Sequence, residues 1–110
     1  LNSSLAAPEV YTTWWSHSVL AWAQATGDAS LAARYLPNLI HSWLEWNTSH
    51  YVKEDDCYFQ IDDRDAMEDS ISGNGCRPTV TSAHYANAAA IAEIAAWAGN
   101  STASATFSAE

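Results

Sequence analysis

The chain has 110 residues, 48% of them hydrophobic and 15% charged, with 13 acidic side chains against four Lys and Arg for a formal net charge of −9. That length suits one domain, residues 1–110, and so apolar a composition excludes wholesale disorder. The acidity repels phosphate backbones and anionic lipids, so nucleic-acid and membrane-surface partners are excluded, and no apolar run reaches the ~20 residues that span a bilayer.

The first predicted helix runs from about Pro8 to Ala25, with Val10, Trp14, Val19, Leu20 and Trp22 at near-helical spacing. Gly27 is its C-cap candidate and Asp28 the N-cap of the next element. A second helix covers about Ala29 to Tyr35. Pro37 sits at a plausible restart, and a third helix carries Leu39, Ile40, Trp43, Leu44 and Trp46 to about Tyr51. The stretch from Lys53 to Thr79 has little helical periodicity, with a short strand expected over Cys57 to Ile61. A fourth helix, about Thr81 to Ala98, is dense in alanine, which favours helix and lets neighbours approach closely. Gly99-Asn100 ends it, and a fifth is expected to open near Thr102.

The most informative run is Asp62-Asp63-Arg64-Asp65-Ala66-Met67-Glu68-Asp69, with five carboxylates in eight residues. Gly73, Asn74 and Gly75 close it, so the acids lie on a loop and not on a regular helix face. Crowded, partly buried carboxylates repel one another, and one is pushed toward keeping its proton near neutral pH. A general acid needs that property. A solvated acidic loop is the plain alternative. Phe59, Ile61, Met67 and Ile71 punctuate the run and suggest that it packs inward.

Cys57 and Cys76 bracket this loop, and a disulfide between them would close it; two unpaired buried thiols are the alternative. Zinc is disfavoured, because the four His and two Cys show no paired ligand spacing. An EF-hand calcium loop fails too: Met67 stands where an oxygen ligand is required and the loop glycine is absent. Three N-x-Ser/Thr sequons, at Asn2, Asn47 and Asn100, lean toward a secreted, extracellular glycoprotein.

The run Tyr58-Phe59-Gln60-Ile61-Asp62-Asp63-Arg64-Asp65-Ala66-Met67-Glu68-Asp69-Ser70-Ile71-Ser72-Gly73, followed by Arg77-Pro78-Thr79 and Tyr85-Ala86-Asn87-Ala88, resembles the helical-barrel glycoside hydrolases related to mannosylglycerate hydrolase. More distantly it is similar to trehalase and processing α-glucosidase families. Trp14-Trp15, Leu36-Pro37-Asn38-Leu39 and Trp43-Leu44-Glu45-Trp46 fit upstream, so the resemblance covers roughly residues 10–100. It implies an all-α fold, helical hairpins forming part of an (α/α)6 toroid. Twelve helices do not fit in 110 residues, so the chain is expected to be a fragment whose partner is the remainder of the same polypeptide.

The resemblance further implies an inverting glycosidase that needs neither metal nor organic cofactor, acting on a carbohydrate substrate. Its catalytic acid maps to Glu68, although Ala66 replaces the usual glycine. The second carboxylate would come from a later helix outside this chain. Asp62, Asp63, Asp65, Asp69, Tyr58, Phe59, Arg77 and Trp15 are the candidate substrate contacts. Ion pairing within the loop is the alternative for Arg77, and core packing the alternative for Trp15. His84 and Tyr85, just past the loop, could face the same pocket or merely pack. A helical carbohydrate- or protein-binding module without catalysis is the competing class.

Overall fold

The computed structural model describes residues 13–61 and 74–110. The helix expected to run on from Pro8 is corrected, because Thr13 and Trp14 are not helical and the helix starts at Trp15. Pro8, the sequon at Asn2, and all five carboxylates from Asp62 to Asp69, Glu68 included, lie outside the described residues. Within them the chain forms four helices and a small three-stranded sheet: α1 Trp15–Thr26, α2 Ala29–His50, β1 Tyr51–Val52, β2 Cys57–Gln60, β3 Gly75–Cys76, α3 Pro78–Trp97 and α4 Ser101–Ser108.

The junction of α1 and α2 follows its sequence closely. Gly27 takes φ 73°, a left-handed conformation that costs glycine least, and its N–H donates to the Ala23 carbonyl at 2.9 Å. Asp28 then caps α2, accepting the Ser30 N–H at 3.0 Å. The Ser30 hydroxyl first, and then that backbone bond, hold the Asp28 carboxyl below its ordinary range.

The expected break before Pro37 is corrected: α2 runs unbroken from Ala29 to His50 with Pro37 inside it. Proline forfeits one helical hydrogen bond and crowds the preceding turn, at about 3 kcal/mol. The buried residues Ala32, Leu36, Leu39, Trp43 and Trp46 show what offsets that cost. Their spacing of four, three, four and three residues makes one continuous stripe through the proline, and Pro37 itself faces outward.

α3 begins at Pro78, earlier than expected. Proline fits the first helical position because the N–H it lacks would have no partner there. It is the central helix and packs against α1, α2 and α4. Ala88, Ala90, Ile91, Ala92, Ile94 and Ala95 are all buried, so small side chains let three helices close on one axis. Asn100 accepts the Ala103 N–H and starts α4, which returns Phe107 to the core.

The strands form an antiparallel sheet in the order β1-β2-β3. Tyr51 opposes Tyr58 and Val52 opposes Cys57; Phe59 opposes Cys76 and Gln60 opposes Gly75. The turn joining β1 and β2 places Asp56 at φ 48°, where Asp is better tolerated than most residues. Cys57 and Cys76 form the expected disulfide, with Cα atoms 5.8 Å apart.

Candidate active site

Three elements meet where the acidic segment leaves and re-enters the described structure. The C-terminal half of α2 brings Trp43, Trp46, Asn47 and His50. β2 brings Tyr58, and the first turns of α3 bring Arg77, Thr81, His84 and Tyr85. The register pairs Gln60 with Gly75, so the two ends of the 14-position excursion from Ile61 to Asn74 start side by side. The disulfide closes the same neck from one strand to the next.

A chain of hydrogen bonds fastens β2 to α3. The Arg77 N–H donates to the Tyr58 carbonyl at 3.0 Å, and the Tyr58 N–H donates to the Thr81 hydroxyl at 3.2 Å. That hydroxyl donates onward to the Arg77 carbonyl at 3.1 Å. The Tyr58 hydroxyl reaches back to α2 and donates to Asn47 Oδ1 at 2.7 Å.

His84 is the centre of this arrangement. Its ring stacks on Trp43 with centroids 4.2 Å apart and meets Tyr58 at 4.2 Å from another direction. Trp43 is itself fixed, because its indole N–H donates to the His84 carbonyl at 3.1 Å and its ring meets the edge of Phe107. Burial, reinforced by the nearby His50, pushes the His84 pKa down to about 4. The imidazole is therefore neutral at physiological pH and offers one donor and one acceptor, not a charge. Burial also pushes the Tyr58 phenol pKa well above its ordinary value, with the negative charge of Glu110 adding to it, so it stays an uncharged hydroxyl.

Two spaces adjoin this centre. A cavity of about 20 Å³, lined by Ser16, Ser42, Trp43, Trp46, His84 and Asn87 among others, has room for one water molecule. Trp46 Nε1 and His84 Nε2 are buried with no hydrogen-bond partner among the described residues, and both residues line it. A groove of about 290 Å³ lies along Trp43, Asn47, Tyr51, Tyr58, His84 and Tyr85, with Asp56 and Glu110 also on its wall.

The candidate residues thus separate. Tyr58 faces the groove. Phe59 is half-buried on β2 opposite Cys76, and Arg77 is half-buried just ahead of α3. Trp15 packs on the core and lines the small cavity instead of the groove. Asn47 is half-buried and bonded to Tyr58, whereas Asn100 is exposed with its side chain capping α4. Asn47, read from sequence only as a sequon, and Trp43, read only as a helix residue, join the site, and the clamp Asn87 had been given no role. Asn87 Nδ2 donates to the Thr13 carbonyl at 2.8 Å and its Oδ1 accepts the His17 N–H at 3.2 Å, pinning the start of α1 to α3. For Asn87 the available signal was an amide standing in an alanine-rich helix.

A family model described as mannosylglycerate hydrolase MGH1-like glycoside hydrolase domain matches residues 3–110. No curated protein matches the chain. A solved structure titled "Sialidase" superimposes with a TM-score of 0.83 at 27% identity, covering 91% of this chain. The chain spans only 10% of that protein's length.

Proposed function

The chain belongs to the mannosylglycerate hydrolase MGH1-like glycoside hydrolase domain family, and from that premise we propose that it supplies the general-acid portion of an inverting, secreted glycosidase. The remaining hairpins of an (α/α)6 toroid and the second carboxylate come from the rest of the polypeptide. The observation that carries this reading is the closed neck. Paired strands and a disulfide start and end the acid-rich segment beside a groove walled by aromatic rings and hydroxyls.

In this reading Glu68 holds its proton because neighbouring carboxylates oppose its ionisation. It gives that proton to the glycosidic oxygen as the bond to the anomeric carbon breaks. The distant carboxylate removes a proton from water attacking the opposite face, across the ~6.5–9.5 Å separation that inversion requires. Tyr58 lines the sugar site, and Asp62, Asp63, Asp65 and Asp69 hold sugar hydroxyls or orient the loop. Phe59, Arg77 and Trp15 act at one remove, Arg77 by partly neutralising the acids. The disulfide fits an oxidising, extracellular setting, and of the two described sequons exposed Asn100 is more accessible to a glycan than half-buried Asn47.

Glu68→Gln in the full polypeptide tests the assignment, since the amide keeps the shape and lacks the transferable proton. Turnover of substrates with poor leaving groups should fall ~10²–10⁴-fold, and activated aryl glycosides should lose much less. Near-wild-type turnover of a natural glycoside would remove Glu68 from the role. Loss on Asp69→Asn or Asp65→Asn instead would move the acid along the loop.

A further inference from the structure

We infer that Asn100 carries an N-linked glycan whose first sugar rests on the exposed indole of Trp97, and that the helix cap made by the same side chain survives the modification. The inference rests on the secreted reading of the chain. It is independent of which acid donates the proton.

The turn between α3 and α4 fixes three polar groups of Asn100 and leaves one free. Gly99 takes φ 78°, and its N–H donates to the Ala96 carbonyl at 3.2 Å, while the Asn100 N–H donates to the Ala95 carbonyl at 2.9 Å. This is the bonding of a glycine-terminated helix end, and backbone alone makes it. The Asn100 carbonyl then accepts the Ser104 N–H, and Oδ1 accepts the Ala103 N–H, both at 3.0 Å. Among the described residues, Nδ2 has no partner.

Nδ2 is the atom that N-glycosylation uses, and Asn100-Ser101-Thr102 is exposed along its whole length. Transfer from a lipid pyrophosphate-linked oligosaccharide bonds Nδ2 to the anomeric carbon, takes one proton from the amide and expels the lipid pyrophosphate. Oδ1 is not consumed, so cap and glycan coexist. Asn47 is the contrast. Its side chain is half-buried on the groove wall with Oδ1 held by the Tyr58 hydroxyl, and a glycan there would crowd the groove.

Trp97 supplies the second observation. It ends α3, three residues before Asn100, with 42% of its surface exposed. The C–H face of a pyranose packs on an indole ring and takes apolar area out of water. A sugar already tethered one tight turn away stacks at little further cost in freedom. Stacking would tie the end of α3 to the start of α4 and shield the indole.

The full polypeptide, secreted from a eukaryotic host, tests this. Peptide mass spectrometry after enzymatic glycan removal, which marks each occupied site as Asn→Asp, should find Asn100 modified in most chains and Asn47 unmodified. Hydrogen exchange over residues 98–103 is then compared for the intact protein, a form trimmed by endoglycosidase to the first sugar, and the fully deglycosylated form. The first two should exchange alike and the last severalfold faster, although the Asn100→Asp change it carries preserves the cap. Thr102→Ala, which removes the sequon and keeps both Asn100 and Trp97, should match the deglycosylated form. In Trp97→Leu the gap should close. A bare Asn100 on an active glycosidase, or a glycan on Asn47 instead, overturns the inference, as does a gap that is missing or that Trp97→Leu leaves unchanged. An occupied Asn100 on a polypeptide that hydrolyses no glycoside would support the inference and sink the glycosidase reading alone.

Discussion

The two halves of α3 work by different physics although they belong to one continuous helix. From Ala88 to Trp97 the buried positions are alanine and isoleucine, and the helix is held by close approach to α1, α2 and α4. From Pro78 to Asn87 the buried positions include His84 and Asn87, with Thr81 half-buried, and the helix is held by named partners: the Tyr58 backbone, the Trp43 ring and the start of α1. Packing by small residues has no single contact on which everything depends. Packing by polar residues does, because each buried donor or acceptor left alone costs about 1–3 kcal/mol. The scaffold half therefore responds to volume, and the site half responds to chemistry.

The largest effect expected is in the scaffold. Ile91 is fully buried at the junction of three helices. Ile91→Ala should cost ~2–5 kcal/mol in denaturant unfolding, through lost transfer energy and an unfilled cavity. A cost below about 1 kcal/mol would mean that the surrounding alanines collapse into the space, and the contrast between the two halves would weaken.

Next comes the acid response of the site half. His84 folds as a neutral ring with its pKa near 4, against an ordinary value of 6.5. Below pH 6.5 the unfolded chain takes up a proton that the folded chain refuses until about pH 4, so protonation favours unfolding across that window. Stability should thus be level above pH 6.5, fall by up to ~3 kcal/mol toward pH 4, and stop falling on this account below it. His50, whose pKa burial also lowers, acts in the same direction. His84→Gln should flatten much of the slope in melts taken from pH 7 to pH 4. An unchanged slope would assign it to the carboxylates instead.

Asn87→Ala leaves the His17 N–H and the Thr13 carbonyl without their side-chain partner. Both are only part-buried, so water recovers some of the loss, and ~1–2 kcal/mol is expected. Faster hydrogen exchange at the first turn of α1 would locate the effect. A uniform change across the chain would show that Asn87 is not a local clamp.

The same division explains what was legible in the sequence. Gly27-Asp28, Pro78 and Asn100 carry their caps and turns in single residues, so helix ends were readable to within a few positions. The disulfide was legible from the two cysteines bracketing the loop together with the sequons, against the alternative of unpaired thiols, and the short strand at Cys57 from its place in the chain. The break at Pro37 failed because local propensity favoured it, while the stripe from Ala32 to Trp46, which only tertiary packing rewards, ran straight through. The site was less legible. Tyr58 stood out as an aromatic beside acids. His84 depends on Trp43, which lies 41 residues earlier and is brought beneath its ring only by the crossing of α2 and α3. Asn47 read as a sequon, and its bond to Tyr58 depends on the register of a hairpin that no local signal specified.

The smallest effect tests that last contact. Tyr58→Phe removes a hydroxyl and leaves the ring against His84. The lost bond to Asn47 is a neutral one at 2.7 Å between half-buried groups, and such bonds contribute about 0.5–1.5 kcal/mol net. Asn47 lines the groove and is only half-buried, so water can replace the lost donor and the lower part of that range is expected in stability. The effect on function should be larger than the effect on folding. The hydroxyl is one of the neutral groups on the groove wall, and a sugar hydroxyl that used it would lose a partner inside a partly desolvated site. A rise in KM for hexosides with a melt shifted by only a few degrees would place Tyr58 in ligand contact. Unaltered KM alongside the same small shift would confine the hydroxyl to joining β2 to α2, and the site half of α3 would then reach substrate through His84 and Tyr85 alone.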